Sequence, residues 1–192
     1  SALPEIRSRA GEADPDITSV TPDSRAVTPG ALFVALRGET VDGHRFIPRA
    51  IEKGAVAVVG EFGLRISDFG IPQSAIANPQ FISVPDSQAA LAHLAAAWHG
   101  FPARKLVMFG VTGTDGKTTT ASLIHSILLA AGIKAGLIST VSAVIGDESL
   151  DTGFHVTTPD APEVQGYLAR MVAAGLTHCV LEVTSHGLIQ HR

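Results

Sequence analysis

The sequence is poor in the residues that mark several large classes of protein. Its single cysteine, Cys179, excludes an internal disulfide, and we expect it to be a small apolar strand residue in a reducing compartment. Aromatic residues make up only 5% of the chain. No apolar run approaches the roughly 20 residues that a membrane-spanning helix needs, and no signal peptide opens the chain. We therefore expect a cytoplasmic protein without a membrane partner.

A basic surface is lacking as well. The net charge of -4 argues against nucleic acid as the main partner, because binding to a phosphate backbone needs an excess of lysine and arginine. What the chain does contain is 45% hydrophobic residues, with many branched and small side chains. Short apolar runs alternate with amphipathic stretches of helical periodicity, and this order predicts an α/β fold with a mostly parallel, doubly wound sheet.

A boundary near residue 103 divides the predicted chain into two domains, residues 1–103 and 104–192. Gly100 and Pro102 mark this boundary, because neither residue continues a helix. The periodicity predicts a buried face for two helices. The expected buried residues are Leu91, Leu94, Ala95 and Trp98 in the helix capped by Asp86, and Leu123, Ile124, Ile127, Leu128 and Ala131 in the helix that opens at Lys117.

The second domain begins with a glycine-rich turn between an apolar strand and an amphipathic helix. The turn reads Gly110-x-x-Gly113-x-x-Gly116-Lys117-Thr118, which departs from the strict phosphate-loop spacing. Backbone N–H groups and the helix dipole converge at such a turn and favour an anion. Lys117 supplies a positive charge for phosphates, and the Thr118 hydroxyl supplies an oxygen ligand for Mg²⁺.

Glu182 ends a later apolar strand, and His186 follows it by four residues. Because ligands gather at the carboxyl ends of parallel strands, both side chains are expected to face the same crevice as the glycine turn. A carboxylate there can hold a nucleotide's metal directly or through water. From the residues alone, the alternative interpretations are a carboxylate at the rim for Glu182 and a surface histidine for His186.

Two polar stretches have a plain structural interpretation beside a functional one. Asp23-Ser24-Arg25 reads as a turn with a solvated ion pair, and Thr157-Thr158-Pro159 reads as the start of a helix. Neither stretch has a spacing that by itself defines a site.

Taken together, these stretches resemble a known family. Residues 112–119 look like the phosphate loop of the Mur ligases, the ATP-dependent ligases that build the peptidoglycan stem peptide. The stretches 23–25, 30–38, 42–46, 157–159 and 182–188 are similar to other motifs of that family, so the resemblance covers most of the chain. Asp115 replaces a common asparagine and Thr184 a common serine; both keep hydrogen-bonding capacity, but Asp115 adds a negative charge.

The resemblance implies a small N-terminal α/β nucleotide-sugar domain, which binds uridine diphosphate, followed by the first part of a P-loop-type ATPase domain. It implies ATP and Mg²⁺ as cofactors, with Lys117 as the catalytic residue. The implied ATP-binding residues are Gly113, Thr114, Asp115, Gly116, Lys117, Thr118 and Thr119. The implied metal ligands are Thr118, Glu182 and His186, and the implied substrate-binding residues are Ser24, Thr157, Thr158 and Ser185.

The reaction implied by the resemblance joins a diamino acid to UDP-MurNAc-L-Ala-D-Glu. ATP phosphorylates the D-glutamate carboxylate, and the amine of meso-diaminopimelate or L-lysine attacks the acyl phosphate. Family members extend well past residue 192, where their carbamylated lysine and amino-acid-selecting residues lie. We therefore expect a monomeric fragment that is inactive alone.

Two alternatives stay open at this point. The first is another amide ligase of the same superfamily, similar to folylpolyglutamate synthetase, although such enzymes place the ATPase domain near their start. The second is a nucleotide-binding switch without ligase chemistry, which has no need of a whole domain before the loop.

Overall fold

The computed structural model describes residues 3–11, 14–38, 41–61, 79–151 and 159–191. The chain divides into two compact units, Ser1–Leu94 and Ala95–Arg192, and the predicted domain boundary near residue 103 stays a prediction. Within the described ranges, no helix combines the length and the apolar composition that crossing a bilayer requires.

The first unit is built on a five-stranded sheet. Its strands are β1 (Ser8–Ala10), β2 (Ser19–Thr21), β3 (Ala31–Val34), β4 (Ala57–Gly60) and β5 (Gln80–Ser83). The strand order is β1-β5-β4-β3-β2, with β2 to β5 parallel and β1 antiparallel to β5. Strands β3 and β4 are buried on both faces, as expected for the centre of a parallel sheet.

Helices cover both faces of this sheet. A 3-10 helix, Gly43–Phe46, leads into α1 (Ile47–Glu52), which packs with Phe33 and Val58 on one face. On the other face lies α2 (Ser87–Trp98).

The start of α2 agrees with its prediction, but its buried face does not agree entirely. The Asp86 carboxylate accepts a hydrogen bond from the Ala89 N–H at 2.9 Å, so the predicted cap is confirmed. Leu91 and Ala95 are buried. Trp98, in contrast, is 47% exposed, so its predicted place on the buried face is wrong. It occupies the last residue of the helix, beyond the part that packs on the sheet.

The second unit is built on a mixed five-stranded sheet. Its strands are β6 (Val107–Val111), β7 (Ala135–Ile138), β8 (Ser142–Ile145), β9 (Glu148–Asp151) and β10 (His178–Glu182). The strand order is β6-β10-β7-β8-β9. The first three strands of that order are parallel, whereas β8 and β9 form an antiparallel hairpin at the other side.

Helices pack on this sheet as well. They are a short 3-10 helix (Pro102–Lys105), α3 (Lys117–Ala130), α4 (Ala161–Ala173) and α5 (Ser185–Ile189). Helix α3 packs on β10 and β7, and α4 packs on β8 and β7. A capping box between Asp160 and Glu163 forms the start of α4. The predicted fold class, α/β with mostly parallel sheets, is confirmed.

The buried face of α3 differs from the prediction. Ala121 and His125 are buried, and Ile124 packs against the core. Leu123 and Ile127, which the periodicity places on that face, are 58% and 66% exposed. Apolar residues occur around most of this helix, so periodicity alone does not separate the face on the sheet from the opposite one.

Cys179 is the second residue of β10 and is fully buried. It packs in the cluster that contains Leu168 and Met171 of α4. Burial raises the pKa of its thiol to about 12. The prediction of a small apolar strand residue is therefore confirmed, and the thiol is inert in the folded protein.

Candidate functional site

Strand alternation decides which side chains of β10 face α3. Successive residues of a strand point to opposite faces. Val180 packs in the cluster that contains Ala121 of α3, while Cys179 packs on the α4 side. Glu182, two residues after Val180, therefore shares the α3 face. Since Glu182 is in register with Val111, its carboxylate lies beside the glycine turn that follows β6.

The turn after β6 ends at Gly116, which is the N-cap residue of α3 and has φ of +73°. This left-handed conformation is one that glycine adopts at no steric cost. No side chain caps the first turn of α3, so the N-terminal N–H groups of the helix are not covered by a capping oxygen. An anion is the natural partner of such an end.

Lys117 folds back onto the turn that precedes it. Its Nζ donates to the carbonyl oxygens of Gly113 at 2.9 Å and Thr114 at 3.2 Å. Both contacts are exposed and both partners are neutral carbonyls, so the ammonium group has no carboxylate partner in them. The role of Lys117 as a phosphate-binding residue stays a prediction.

Glu182 is the buried centre of the site, with 2% of its surface exposed. The Thr118 hydroxyl lies 3.0 Å from each of its carboxylate oxygens, and the Thr140 N–H donates to Oε2 at 3.1 Å. Among the described residues no lysine, arginine or histidine is within ion-pair distance of it. A hydroxyl has one hydrogen for two oxygens, so this buried negative charge is incompletely compensated.

The donor set suits a hard divalent cation. Carboxylate and hydroxyl oxygens are the ligands that Mg²⁺ prefers, and Mg²⁺ is commonly held by one or two such groups together with substrate phosphates and water. Glu182 and Thr118 meet that description beside a phosphate-binding turn. Within the described ranges, no group of three or more His, Cys, Asp or Glu side chains could hold a metal by itself.

For the remaining predicted site residues of this unit that lie within the described ranges, the structure gives no hydrogen bond to Glu182. Ser185 and His186 open the short helix α5 directly after β10, and both are exposed. Thr184 caps that helix by accepting from the Gly187 N–H at 2.9 Å. Thr157 and Thr158 lie outside the described residues. The roles of these residues stay predictions.

Sequence reasoning missed the contribution of Thr140. Its backbone N–H, not its side chain, reaches Glu182. A backbone donor leaves no signal in residue type, so only the placement of the segment after β7 shows it.

The first unit has a groove of its own, of about 500 Å³. Its walls come from the turn after β2 and from the segment between β3 and α1. The lining residues are Pro22, Asp23, Ser24, Arg25, Leu36, Val41, Gly43, Phe46 and Arg49.

The stretch Asp23-Ser24-Arg25 can form a turn with a solvated ion pair and also place Ser24 in the groove. The Arg25 guanidinium donates to the Asp23 carboxylate at 3.0 Å, and both side chains are largely exposed. Hydrogen bonds from the Arg25 side chain and backbone lower the pKa of Asp23 below its usual value. This is the solvated ion pair of a turn. Ser24 between them is 7% exposed and lines the groove, where its hydroxyl can meet a ligand.

The parallel strands of the second unit, with a glycine turn between β6 and the N-terminus of α3, have the arrangement of a phosphate-loop α/β domain. The profile of the Mur ligase middle domain matches residues 111–192, and that of the Mur ligase family catalytic domain matches residues 16–99. The chain belongs to the Mur ligase family, and the resemblance seen in its motifs is confirmed.

Curated relatives agree with this assignment. The chain is 48% identical over 175 residues to the UDP-N-acetylmuramyl-tripeptide synthetase of Roseiflexus sp. (strain RS-1), covering 91% of the chain and 33% of that protein. It is 46% identical over 191 residues to the UDP-N-acetylmuramoyl-L-alanyl-D-glutamate–2,6-diaminopimelate ligase of Chlorobaculum tepidum, covering 100% of the chain and 35% of that protein. The chain spans about a third of the length of these relatives.

A solved structure shows the same fold. A UDP-N-acetylmuramoyl-L-alanyl-D-glutamate–2,6-diaminopimelate ligase superposes with a TM-score of 0.70 at 27% identity, covering 91% of the chain and 33% of that structure.

Proposed function

We propose that the chain supplies the ATP-binding loop and the nucleotide-sugar groove of an ATP-dependent amide ligase of peptidoglycan synthesis. The ligase would join a diamino acid to UDP-MurNAc-L-Ala-D-Glu. The observation that carries the proposal is the contact of Thr118 with the buried Glu182 beside the glycine turn. The substrate class in this proposal is taken from the names of the relatives. We also propose that the protein is cytoplasmic and monomeric.

Each residue of the loop has a defined task in this proposal. Lys117 leaves the carbonyls of Gly113 and Thr114 and neutralises the outer phosphates of ATP. The N–H groups from Gly113 to Thr119 orient the phosphate chain. This fits phosphoryl transfer, in which positioning and charge neutralisation provide most of the rate enhancement.

Thr118 and Glu182 would hold Mg²⁺, with His186 as a further ligand. The metal, when bound, supplies positive charge that offsets the charge developing on the transferred phosphoryl group. Glu182 keeps its orientation through the Thr140 N–H, so one of its oxygens stays fixed while Thr118 turns its hydroxyl. Asp115 is exposed in the turn, where a positive neighbour or Mg²⁺ would offset its negative charge beside the phosphates.

The acceptor is UDP-MurNAc-L-Ala-D-Glu. Ser24 contacts the uridine diphosphate part in the groove of the first unit, and Thr157, Thr158 and Ser185 contact the muramoyl dipeptide. The D-glutamate carboxylate attacks the γ-phosphate of ATP, the bond to the β–γ bridging oxygen breaks, and ADP leaves. The amine of the incoming diamino acid then displaces inorganic phosphate from the acyl phosphate and loses a proton as the amide forms.

The match of residues 16–99 to the family's catalytic domain supports this proposal over a nucleotide switch, which does not need a domain of this kind before its loop. It also supports it over an enzyme similar to folylpolyglutamate synthetase, whose ATPase domain comes first.

Calorimetry of Mg·ATP binding to the 192-residue chain tests the ATP site. We expect binding that depends on Mg²⁺ and that weakens at least thirtyfold in Lys117→Ala, because a charge-assisted contact to phosphate is lost. Lys134→Ala is the matched control, since Lys134 is exposed in the loop after α3. Equal affinities of the two variants would refute the phosphate role of Lys117.

A substrate panel tests the reaction. A full-length protein that carries this segment should release phosphate with UDP-MurNAc-L-Ala-D-Glu and meso-diaminopimelate or L-lysine, but not with folate or without an acceptor. The 192-residue chain alone should form no tripeptide. Turnover with folate, or turnover by the chain alone, would contradict the proposal.

A further inference from the structure

The stretch Asp42-Gly43-His44 lies in one wall of the groove of the first unit, yet its histidine does not face the solvent. His44 is 2% exposed, while its neighbours Val41 and Phe46 are 44% and 37% exposed. A buried histidine between exposed groove residues needs a structural or functional reason, because a polar ring is costly to bury unless it is hydrogen-bonded.

Both ring nitrogens of His44 have partners that define their roles. Nε2 lies 2.9 Å from the backbone N of Glu61, and an amide N–H can only donate, so Nε2 accepts. Nδ1 lies 2.6 Å from Oδ1 of Asp42 and donates to it. The same carboxylate oxygen also accepts from the His44 backbone N–H at 3.0 Å. The ring is therefore held in a single orientation from both sides.

The far end of this connection is well anchored. Glu61 follows directly after β4, a buried strand of the sheet. Its Oε1 accepts from the N–H and the hydroxyl of Ser87, at 3.0 and 2.8 Å, at the first residue of α2. His44 thus links the groove wall to the end of a central strand and to the start of a helix.

The near end is held equally tightly. The Gly43 N–H donates to the Leu36 carbonyl at 2.8 Å, and a Cβ on Gly43 would lie 2.5 Å from that same oxygen. Arg37 and Asp42 form an isolated bridge across the segment. Gly43 therefore permits the close approach, and His44 keeps the wall from moving away from the sheet.

We propose that His44 is the positioning residue of the groove: by bridging Asp42 to the Glu61 backbone, it fixes the wall that contacts the nucleotide part of the substrate. The inference rests on the proposed function for the identity of that ligand as a uridine diphosphate. A preformed wall spares the ligand the cost of ordering the segment on binding. His44 itself touches no substrate in this scheme and acts through Val41, Gly43 and Phe46.

Calorimetry of UDP binding, combined with urea unfolding, tests this role. In His44→Ala both contacts are lost, and we expect the dissociation constant for UDP to rise at least tenfold at a temperature where the variant is folded. His44→Gln can still accept from the Glu61 N–H but is too flexible to fix both partners, so it should recover part of the affinity. It also keeps the test usable if His44→Ala does not fold.

Ser87→Ala is the matched control. It removes a hydroxyl from the same network, outside the groove, so it should lower stability while leaving the UDP affinity within twofold of the unaltered chain. This separates positioning from general stability.

The outcomes are distinct. An unchanged UDP affinity in folded His44→Ala or His44→Gln would overturn the inference about His44 but not the proposed function. A loss of affinity in Ser87→Ala as large as that in His44→Ala would also overturn it. If the unaltered chain does not bind UDP, the proposed acceptor site is refuted, and the inference falls with it.

Discussion

Each unit contains a polar cluster around a buried side chain, His44 in the first unit and Glu182 in the second. Both side chains are 2% exposed, but they differ in how completely their hydrogen-bonding capacity is satisfied. His44 has a fixed partner at each ring nitrogen. Glu182 carries a charge and, from the residues that the structure describes, receives one amide N–H and a hydroxyl whose single hydrogen serves two oxygens. A completed network of the first kind maintains architecture, whereas an incomplete one of the second kind leaves capacity for a ligand.

The largest expected effect on stability comes from His44→Ala. The substitution leaves a cavity and removes the acceptor for the Glu61 N–H, so the free energy of unfolding should fall by about 2–4 kcal/mol. Urea unfolding of the first unit measures it. A loss of unfolding free energy below about 0.5 kcal/mol would show that the hydrogen bonds of His44 do not stabilise the fold. The proposed difference between the His44 and Glu182 clusters would then not hold.

In contrast, Glu182→Gln is expected to raise the free energy of unfolding. This substitution removes a buried charge that has no cationic partner among the described residues, while both donors keep an acceptor, so stability without ligands should rise by about 1–2 kcal/mol. Unfolding of the second unit in the presence of a chelator measures this. The same variant should lose the dependence of ATP binding on Mg²⁺. A clear destabilisation would show that Glu182 is fully compensated in the absence of ligands.

The same exchange at Glu61 provides the matched comparison. The amide that replaces the carboxylate would keep the oxygen that accepts from Ser87, so Glu61→Gln should lower stability by only about 0.3–1 kcal/mol, through the lost negative charge at the N-terminus of α2. Denaturation midpoints of the two Glu→Gln variants, measured side by side, should move in opposite directions. Midpoints that shift in the same direction would mean that the two clusters do not differ in how completely their hydrogen-bonding capacity is satisfied.

The smallest effect is a dependence on pH. Burial raises the pKa of Asp42, but hydrogen bonds from the His44 backbone N–H and ring, with the positive charge of nearby Arg37, outweigh it, so the pKa lies below its usual value. A carboxyl group with a lowered folded-state pKa stabilises the fold above its unfolded pKa and loses that contribution as the pH falls through the folded one.

The measurement for Asp42 is the urea midpoint between about pH 5 and pH 3. Over that range the unaltered chain should lose stability more steeply than Asp42→Asn, although only slightly, because the Asp42 side chain is 51% exposed and solvent screens its interactions. Parallel curves for the two proteins would contradict the assigned role of Asp42.

Much of the second unit was predictable from the sequence, because its signals are local. The strand before the turn, the glycine at the helix start and the carboxylate at the end of β10 each follow from residue type and strand direction. The rule that ligands gather at strand ends then brings Glu182 to the turn, and the structure places it against Thr118.

What could not be predicted depends on packing partners. Ile124 and Ile127 are both apolar and three residues apart on α3, yet only Ile124 packs on the sheet, and the sequence does not say which side the sheet occupies. The His44 network joins residues 17 and 26 positions apart. Its one local sign is Asp-Gly-His, which suggests a turn but not the Glu61 partner.

The buried thiol of β10 gives the chain a reporter of its own. Cys179 is the single cysteine, is fully buried, and has a pKa raised to about 12, so an alkylating reagent can reach it only when β10 opens. The rate of alkylation then measures how often this strand detaches, three residues from Glu182. Mg·ATP should slow the labelling if it binds where we propose, and no foreign probe has to be introduced to see it.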